Sequence, residues 1–243
     1  MNTAIVIMSK IPLPGHTKTR LMPELTSQEC VEFHRACLND IVHTVSDLDL
    51  PLFLYYAPIP NEYENGFDFR DNNWWGLDNN LYACIEMYPQ IGKDLGERMY
   101  NAAQEITAEQ RSVLFLGSDL PDLPGCILEE AAELLVSNDV VLGPAEDGGY
   151  YLLGIKKAHS FLFDNISWGS SEVLAETLNR IQKNGLSTSL LARKRDIDTW
   201  KDIKEYYLRG QQDIETRDLH SYRIVLKIME HHLSIKGGID NAR

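Results

Sequence analysis

Apolar residues in this chain come in short runs, each closed by glycine, proline or an acid, and stretches of helical spacing separate the runs. The runs AIVIM (4–8), PLFLYYA (51–57), LYACIEMY (81–88) and SVLFLG (112–117) read as strands. So do DVVLGP (139–144), YYLLGI (150–155) and LSTSLLA (186–192). Between them, Thr26 and Glu29 have the spacing of a capping box, and Cys30, Phe33, Cys37, Ile41 and Val45 continue the helix it opens. Leu95, Met99, Ala102 and Ile106 trace a second helix, Leu128, Ala131 and Leu135 a third, and Val173, Thr177 and Ile181 a fourth. Strands alternating with helices predict an α/β fold: a mostly parallel central sheet with helices on both faces. Residues 58–80 have little periodicity and predict a surface excursion, with Trp74 and Trp75 capping the sheet. The stretch IKGGIDNAR (235–243) predicts a frayed tail. No repeat or linker divides the chain, so a single domain over 1–243 is expected.

Charge narrows the partners. With 36 acidic against 23 basic residues the net charge is -13, a surface that repels phosphate backbones and argues against nucleic acid. A phosphate that binds must therefore find a local basic pocket. No apolar run approaches the roughly 20 residues of a membrane span, and MNTAIVIMSK reads as a strand rather than a signal peptide. Four cysteines without a CxxC pair, Cys30 and Cys37 on one helical face, read as packing residues in a reducing cytoplasm.

In an open parallel sheet, ligands bind beyond the carboxyl ends of the strands, and four polar clusters fall there. After the first strand, SKIPLPGHTKTRL puts Gly15 in a loop with Lys18 and Arg20 at its far end, a phosphate cradle or a solvated basic loop. It is not a Walker A loop, and no G-x-G-x-x-G follows the strand. After the third, PQIGKDLGERM offers Gln90 to read a base edge and Gly92 and Gly96 for close backbone approach, unless it is only a turn with Asp94 as helix cap. After the fourth comes GSDLPDLP, whose Asp119 suits a hard divalent cation held with phosphate oxygens. Asp122, three residues on, is either a supporting partner or the cap of the next helix. After the fifth, GPAEDGGYYLLG reads as a hairpin in which Glu146 and Asp147 could line an acceptor pocket. Asp198, in RDIDTWKDI, is a helix cap or a second metal carboxylate.

In order from residue 10 to 203, the segments KIPLPGHTKTRL, QIGKDLGERM, GSDLPDL, GPAEDGGYYLLG, ISWGSSEVL and DIDTWKDI resemble the bacterial radical-SAM/selenodomain-associated transferases. Those belong to the nucleotide-diphospho-sugar transferase superfamily. The resemblance implies a GT-A-like three-layer sandwich, a nucleotide held by Gly15, Lys18 and Arg20, and base contacts near Gln90 and Gly96. It also implies Mg²⁺ or Mn²⁺ on Asp119 with Asp198, and Asp147, Gly148, Gly149 and Trp168 facing the acceptor. The late Asp-Thr also resembles guanylyl- and cytidylyltransferases. Sugar transferases of this fold carry D-x-D after the fourth strand, whereas here the two acids of Asp119-Leu120-Pro121-Asp122 are three apart.

The expected activity is metal-dependent transfer from a nucleotide-activated donor to a small acceptor, first a glycosyl group from a nucleotide-diphospho-sugar. Alternatives are guanylyl- or cytidylyl-type nucleotidyl transfer with release of pyrophosphate, and nucleotide binding without chemistry. In either reaction Lys18 and Arg20 would offset the charge on the departing phosphate group, with Asp147 orienting or deprotonating the acceptor.

Overall fold

The computed structural model describes residues 2–57, 68–109 and 111–240. One seven-stranded sheet runs through it in the order β3-β2-β1-β4-β6-β5-β7. The strands are β1 (Thr3–Ser9), β2 (Leu52–Tyr56), β3 (Glu86–Pro89), β4 (Ser112–Leu116), β5 (Val140–Pro144), β6 (Tyr150–Ile155) and β7 (Thr188–Leu190). Every pairing is parallel except those of β6, which lies antiparallel between β4 and β5. The five residues joining β5 to β6 explain this: a parallel crossover needs a dozen or more, so the chain can only turn back.

The helices are α1 (Ser27–Ser46), α2 (Asn72–Trp75), α3 (Asn79–Tyr82), α4 (Leu95–Ala108), α5 (Gly125–Ser137) and α6 (Val173–Lys183), followed by α7 (Trp200–Gln212), α8 (Ile214–Asp218) and α9 (His220–Asp240). Alternation along β1 sorts its side chains between two cores. Ile5 and Ile7 pack with Leu38 and Ile41 of α1 and Leu128 of α5, whereas Ala4 and Val6 pack with Met99, Ala102 and Ile106 of α4. Burial on both faces is why the strands read as unbroken apolar runs. Leu114, fully buried at the centre of β4, is worth about 2–5 kcal/mol against alanine. A third core joins Phe33 and Cys37 of α1 to Ile203 and Tyr206 of α7 and Tyr222 and Val225 of α9.

Three expectations change. The run 81–88 is not one strand: α3 covers its start and β3 only its end, because Asp78 caps a helical turn by accepting from Asn80 N. Helix α9 runs through residues 235–240, which carry no helical signature in the sequence. It is started from a distance, since the buried Asp40 of α1 accepts from the backbone N–H groups of His220 and Ser221. Cys30 and Cys37 are buried, but Cys84 and Cys126 are exposed. Of the expected excursion, 58–67 lie outside the described residues, and Trp75 is fully buried with its indole N–H donating to Phe69 O at 2.7 Å. Among the described residues no helix is long and apolar enough to cross a membrane.

Candidate functional site

The carboxyl ends of β1 and β4, the amino end of β6 and the loops after β3, β5 and β7 open onto one cavity of about 580 Å³. Lys18 and Asp119 meet at its floor. The chain turns through Lys18 in a left-handed conformation (φ 49°), which costs a residue with a Cβ about 1–2 kcal/mol. That turn drives the side chain inward, where only 3% of it is exposed. Its Nζ donates to Ile197 O at 2.6 Å and lies 2.6 Å from Asp119 Oδ1 and 3.9 Å from Asp198 Oδ1. Phe33 carries the ammonium 5.5 Å above its ring. Burial works to discharge Lys18, but Asp119, with Asp198 behind it, outweighs burial and raises its pKa. Burial likewise pushes Asp119 up, and the adjacent ammonium reverses this, holding the carboxyl below its usual range. Arg20 extends from the same loop, 62% exposed, with Nη1 3.1 Å from Asp198 Oδ2.

A third carboxylate belongs to this group and was not singled out in the sequence. Asp196 lines the cavity beside Asp198, its Oδ1 buried without a partner. Burial, then the charges of Asp119, Asp198 and Asp147, push its pKa up to about 7. Asp198 is also raised, by burial and then by Asp119. The signal was available: in Asp196-Ile197-Asp198 the acids are two apart, and both line the cavity while Ile197, 1% exposed, turns into the core. Acids two apart thus do occur here, but after β7 rather than β4. Asp198 caps no helix; Thr199 does, in a capping box with Asp202.

Asp147 reaches the cavity from the β5–β6 connection, its Oδ1 accepting from Gly149 N at 2.9 Å. Gly149 and Trp168 line the cavity, and so does Gln90. The Gln90 amide nitrogen donates to Tyr55 O at 2.8 Å and Ser9 O at 3.4 Å, so its carbonyl oxygen is the group left to offer a ligand. Gly15, Gly96 and Gly148 are not in the lining. Gly15 turns the loop that follows β1 (φ 83°). Gly96 sits where a Cβ would fall 2.3 Å from Phe163 O and 2.6 Å from Trp168 Nε1, so its absence of a side chain lets the indole sit against α4. Gly148 packs in the same way on Ser171 O.

Asp122 does not cap α5, whose N-cap is Pro124. It is 14% exposed and pairs with Arg209 of α7 at 2.7 Å. Among further lining residues that escaped sequence reasoning are Arg98 of α4 and His34 of α1. His34 is 2% exposed, its Nε2 within 3.1 Å of both Ser9 Oγ and Lys10 O, and burial lowers its pKa to about 4, which keeps it neutral.

The family described as "Uncharacterized protein conserved in bacteria (DUF2064)" matches residues 65–170. Over 226 residues, 92% of each chain, the sequence is 24% identical to 2-phospho-L-lactate guanylyltransferase of Methanocaldococcus jannaschii. A solved structure from Desulfovibrio desulfuricans G20, named a "putative nucleotide-diphospho-sugar transferase", is 28% identical and superposes with a TM-score of 0.81, covering 93% of this chain and 94% of that one. A cytidylyltransferase from Leptospira borgpetersenii shares the fold with a TM-score of 0.53 at 14% identity, over 97% of this chain and 96% of that one. The fold is that of the nucleotide-diphospho-sugar transferase structures.

Proposed function

We propose that this chain is a nucleotidyltransferase that moves a nucleoside monophosphate from a nucleoside triphosphate to a small acceptor. The observation that carries the reading is the meeting of Lys18 with Asp119 at 2.6 Å and Ile197 O at 2.6 Å. It sets a buried, permanently charged ammonium at the carboxyl ends of β1 and β4, with Arg20 beside it. The triphosphate lies over this pair and the base over Gln90. The sugar-transfer reading, first on sequence grounds, yields to the alternative because the full-length curated relative is a guanylyltransferase. Similarity to the Desulfovibrio protein keeps sugar transfer as the second reading. The ordered motifs between residues 10 and 203 support a place within the radical-SAM/selenodomain-associated branch.

Asp119, Asp198 and Asp196 suit a divalent cation, Mg²⁺ or Mn²⁺. The partnerless Asp196 oxygen and the raised pKa values of Asp196 and Asp198 mark an excess of negative charge that Lys18 and Arg20 do not balance. Among the described residues no three His, Cys, Asp or Glu are placed to hold a metal ion by themselves, so the cation would depend on phosphate oxygens of the nucleotide to complete its shell. When bound, the cation supplies further neutralisation of phosphate charge.

The acceptor oxygen attacks the α-phosphorus as the bond from that phosphorus to the bridging oxygen breaks, and pyrophosphate departs with the bonding pair. Lys18 and Arg20 stabilise the charge on the departing group, and Asp147 orients the acceptor and receives its proton. A thermal-shift panel of nucleoside triphosphates and nucleotide sugars, with and without Mg²⁺, tests the donor class. Stabilisation by a triphosphate, with pyrophosphate released on adding acceptor, is expected. Stabilisation by nucleotide sugars alone would transfer the assignment to sugar transfer.

A further inference from the structure

We propose that the acceptor is a neutral polyhydroxyl alcohol of the sugar class, attacking through a hydroxyl, and not a phosphate monoester. The inference rests on the nucleotidyltransferase reading and concerns the second half of the same cavity. Among the described residues, the lysines and arginines of the lining are Lys10, Lys18, Arg20 and Arg98, all from segments that follow β1 and β3. The acids of the lining are Asp119, Asp147, Asp196 and Asp198, all from segments that follow β4, β5 and β7. Phosphates therefore belong over β1–β3, and the other reactant is left the half over β5 and β6.

Lys18 and Arg20 reach Asp119 and Asp198, but among the described residues no lysine or arginine pairs with Asp147. Outside the lining, Arg193 donates to Ala145 O at 2.7 Å, and Arg195 pairs with Glu146, Asp202 and Glu205. A phosphate dianion there would face Asp147, which no lysine or arginine pairs and which is not among the carboxylates assigned to the cation, a like-charge contact that selects against it. What the half does offer suits a sugar. Asp147, its Oδ1 fixed by Gly149 N, keeps a second carboxylate oxygen to accept from a hydroxyl. Ser170 adds a hydroxyl to the wall. Trp168 and Tyr150 meet edge to face at 6.2 Å and present apolar ring surface to C–H groups. The curated relative is named for 2-phospho-L-lactate, an acceptor that bears a phosphate. On this reading the present chain departs from it in acceptor class.

In the transfer, the acceptor O–H oxygen forms the bond to the α-phosphorus, pyrophosphate leaves, and the hydroxyl proton passes to Asp147. The product is a phosphodiester of a nucleoside monophosphate and the alcohol. The test uses the full chain with Mg²⁺ and the triphosphate that stabilises it most. Pyrophosphate release is followed with neutral hexoses, pentoses and polyols, with their phosphate monoesters, and with primary amines, all at one ionic strength.

Neutral alcohols are expected to give saturable release, with kcat/KM about 100-fold above that of their phosphorylated counterparts. Trp168→Ala should raise acceptor KM about 10-fold or more and Asp147→Asn should lower kcat as well, while in both the triphosphate Kd changes less than about 2-fold. Preference for a phosphate monoester or an amine overturns the inference, as does failure of every neutral alcohol while the triphosphate still binds. If no triphosphate binds, the inference falls together with the reading beneath it, so the two failures are distinguishable.

Discussion

Over β1–β3 the cavity wall carries lysine and arginine; over β4–β7 its charged residues are all aspartates. The two halves also differ in how their charge is settled. Lys18 has its partners built in, fixed by Asp119 and a main-chain carbonyl before any ligand arrives. On the opposite side the aspartates crowd one another, and the structure leaves the Asp196 carboxylate short of a partner. On the proposed reading, one half receives negative charge and the other is held in a state that a ligand relieves. Such local cost at a binding site is tolerated when the surrounding cores fix the geometry, here the sheet cores and the α1–α7–α9 core.

The most severe way to break this asymmetry is to remove its pivot. Lys18→Met leaves Asp119, Asp196 and Asp198 without the buried ammonium, so both the phosphate site and the balance of the acidic half are lost. Turnover should fall about 10²–10³-fold, and triphosphate affinity should fall with it. Stability at pH 7 should drop by about 1–3 kcal/mol, less than for a fully buried pair because Asp119 is 41% exposed. Pyrophosphate release and urea titration measure the two effects. A variant with near-normal turnover would mean that the ammonium is only a structural tie.

Asp196→Asn probes the opposite side with an opposite effect on stability. The folded-state pKa of Asp196 is raised to about 7 from 3.8, so the folded form holds its proton more tightly than the unfolded chain does. Stability should therefore fall as pH rises from about 4 through about 7 and level off above that. Removing the carboxyl abolishes this slope. In the absence of metal and nucleotide, Asp196→Asn should melt higher than the parent at pH 8 and match it near pH 4, an effect of up to about 4 kcal/mol. The gain should come with weaker Mg²⁺-dependent triphosphate binding. Thermal melts between pH 4 and 9 decide the matter; parallel curves for the two proteins would remove Asp196 from the charged group.

The same contrast explains what could be read from the sequence. Strands β1, β2, β4, β5 and β6 were legible because burial on two faces leaves an apolar run, and α1 and α4 because Thr26 and Asp94 do cap them. The cationic half was legible because Lys18 and Arg20 stand out in an acidic chain and lie close together in sequence. The acidic half was legible only in part. Asp119, Asp147 and Asp198 were recognised one loop at a time, while Asp196 was hidden by its ordinary place in an acid-rich segment. Arg98 and His34 were hidden because their role depends on strand order, and no local pattern specifies that β3, β2 and β1 lie side by side. Helix α9 escaped because its first turn is capped by Asp40, 180 positions earlier.

The finest division lies within one tetrapeptide. Asp119 and Asp122 look alike in GSDLPDLP, yet Asp119 lines the cavity and Asp122 turns away from it to meet Arg209. Burial raises the Asp122 pKa and Arg209 only partly offsets it, while Oδ1 has no partner. A carboxylate in that position gains little over a neutral amide of the same shape, because its desolvation cancels much of the ion pair. Asp122→Asn should change stability by less than about 1 kcal/mol. Turnover and the Mg²⁺ dependence of triphosphate binding should remain within about 2-fold of the parent, whereas Asp119→Asn should lose most of both. Kinetics of the two asparagine variants, measured side by side, test whether orientation into the cavity, rather than acidity after β4, makes a carboxylate functional. Equal losses in both would mean that the loop acts as one unit and that its two acids share the site.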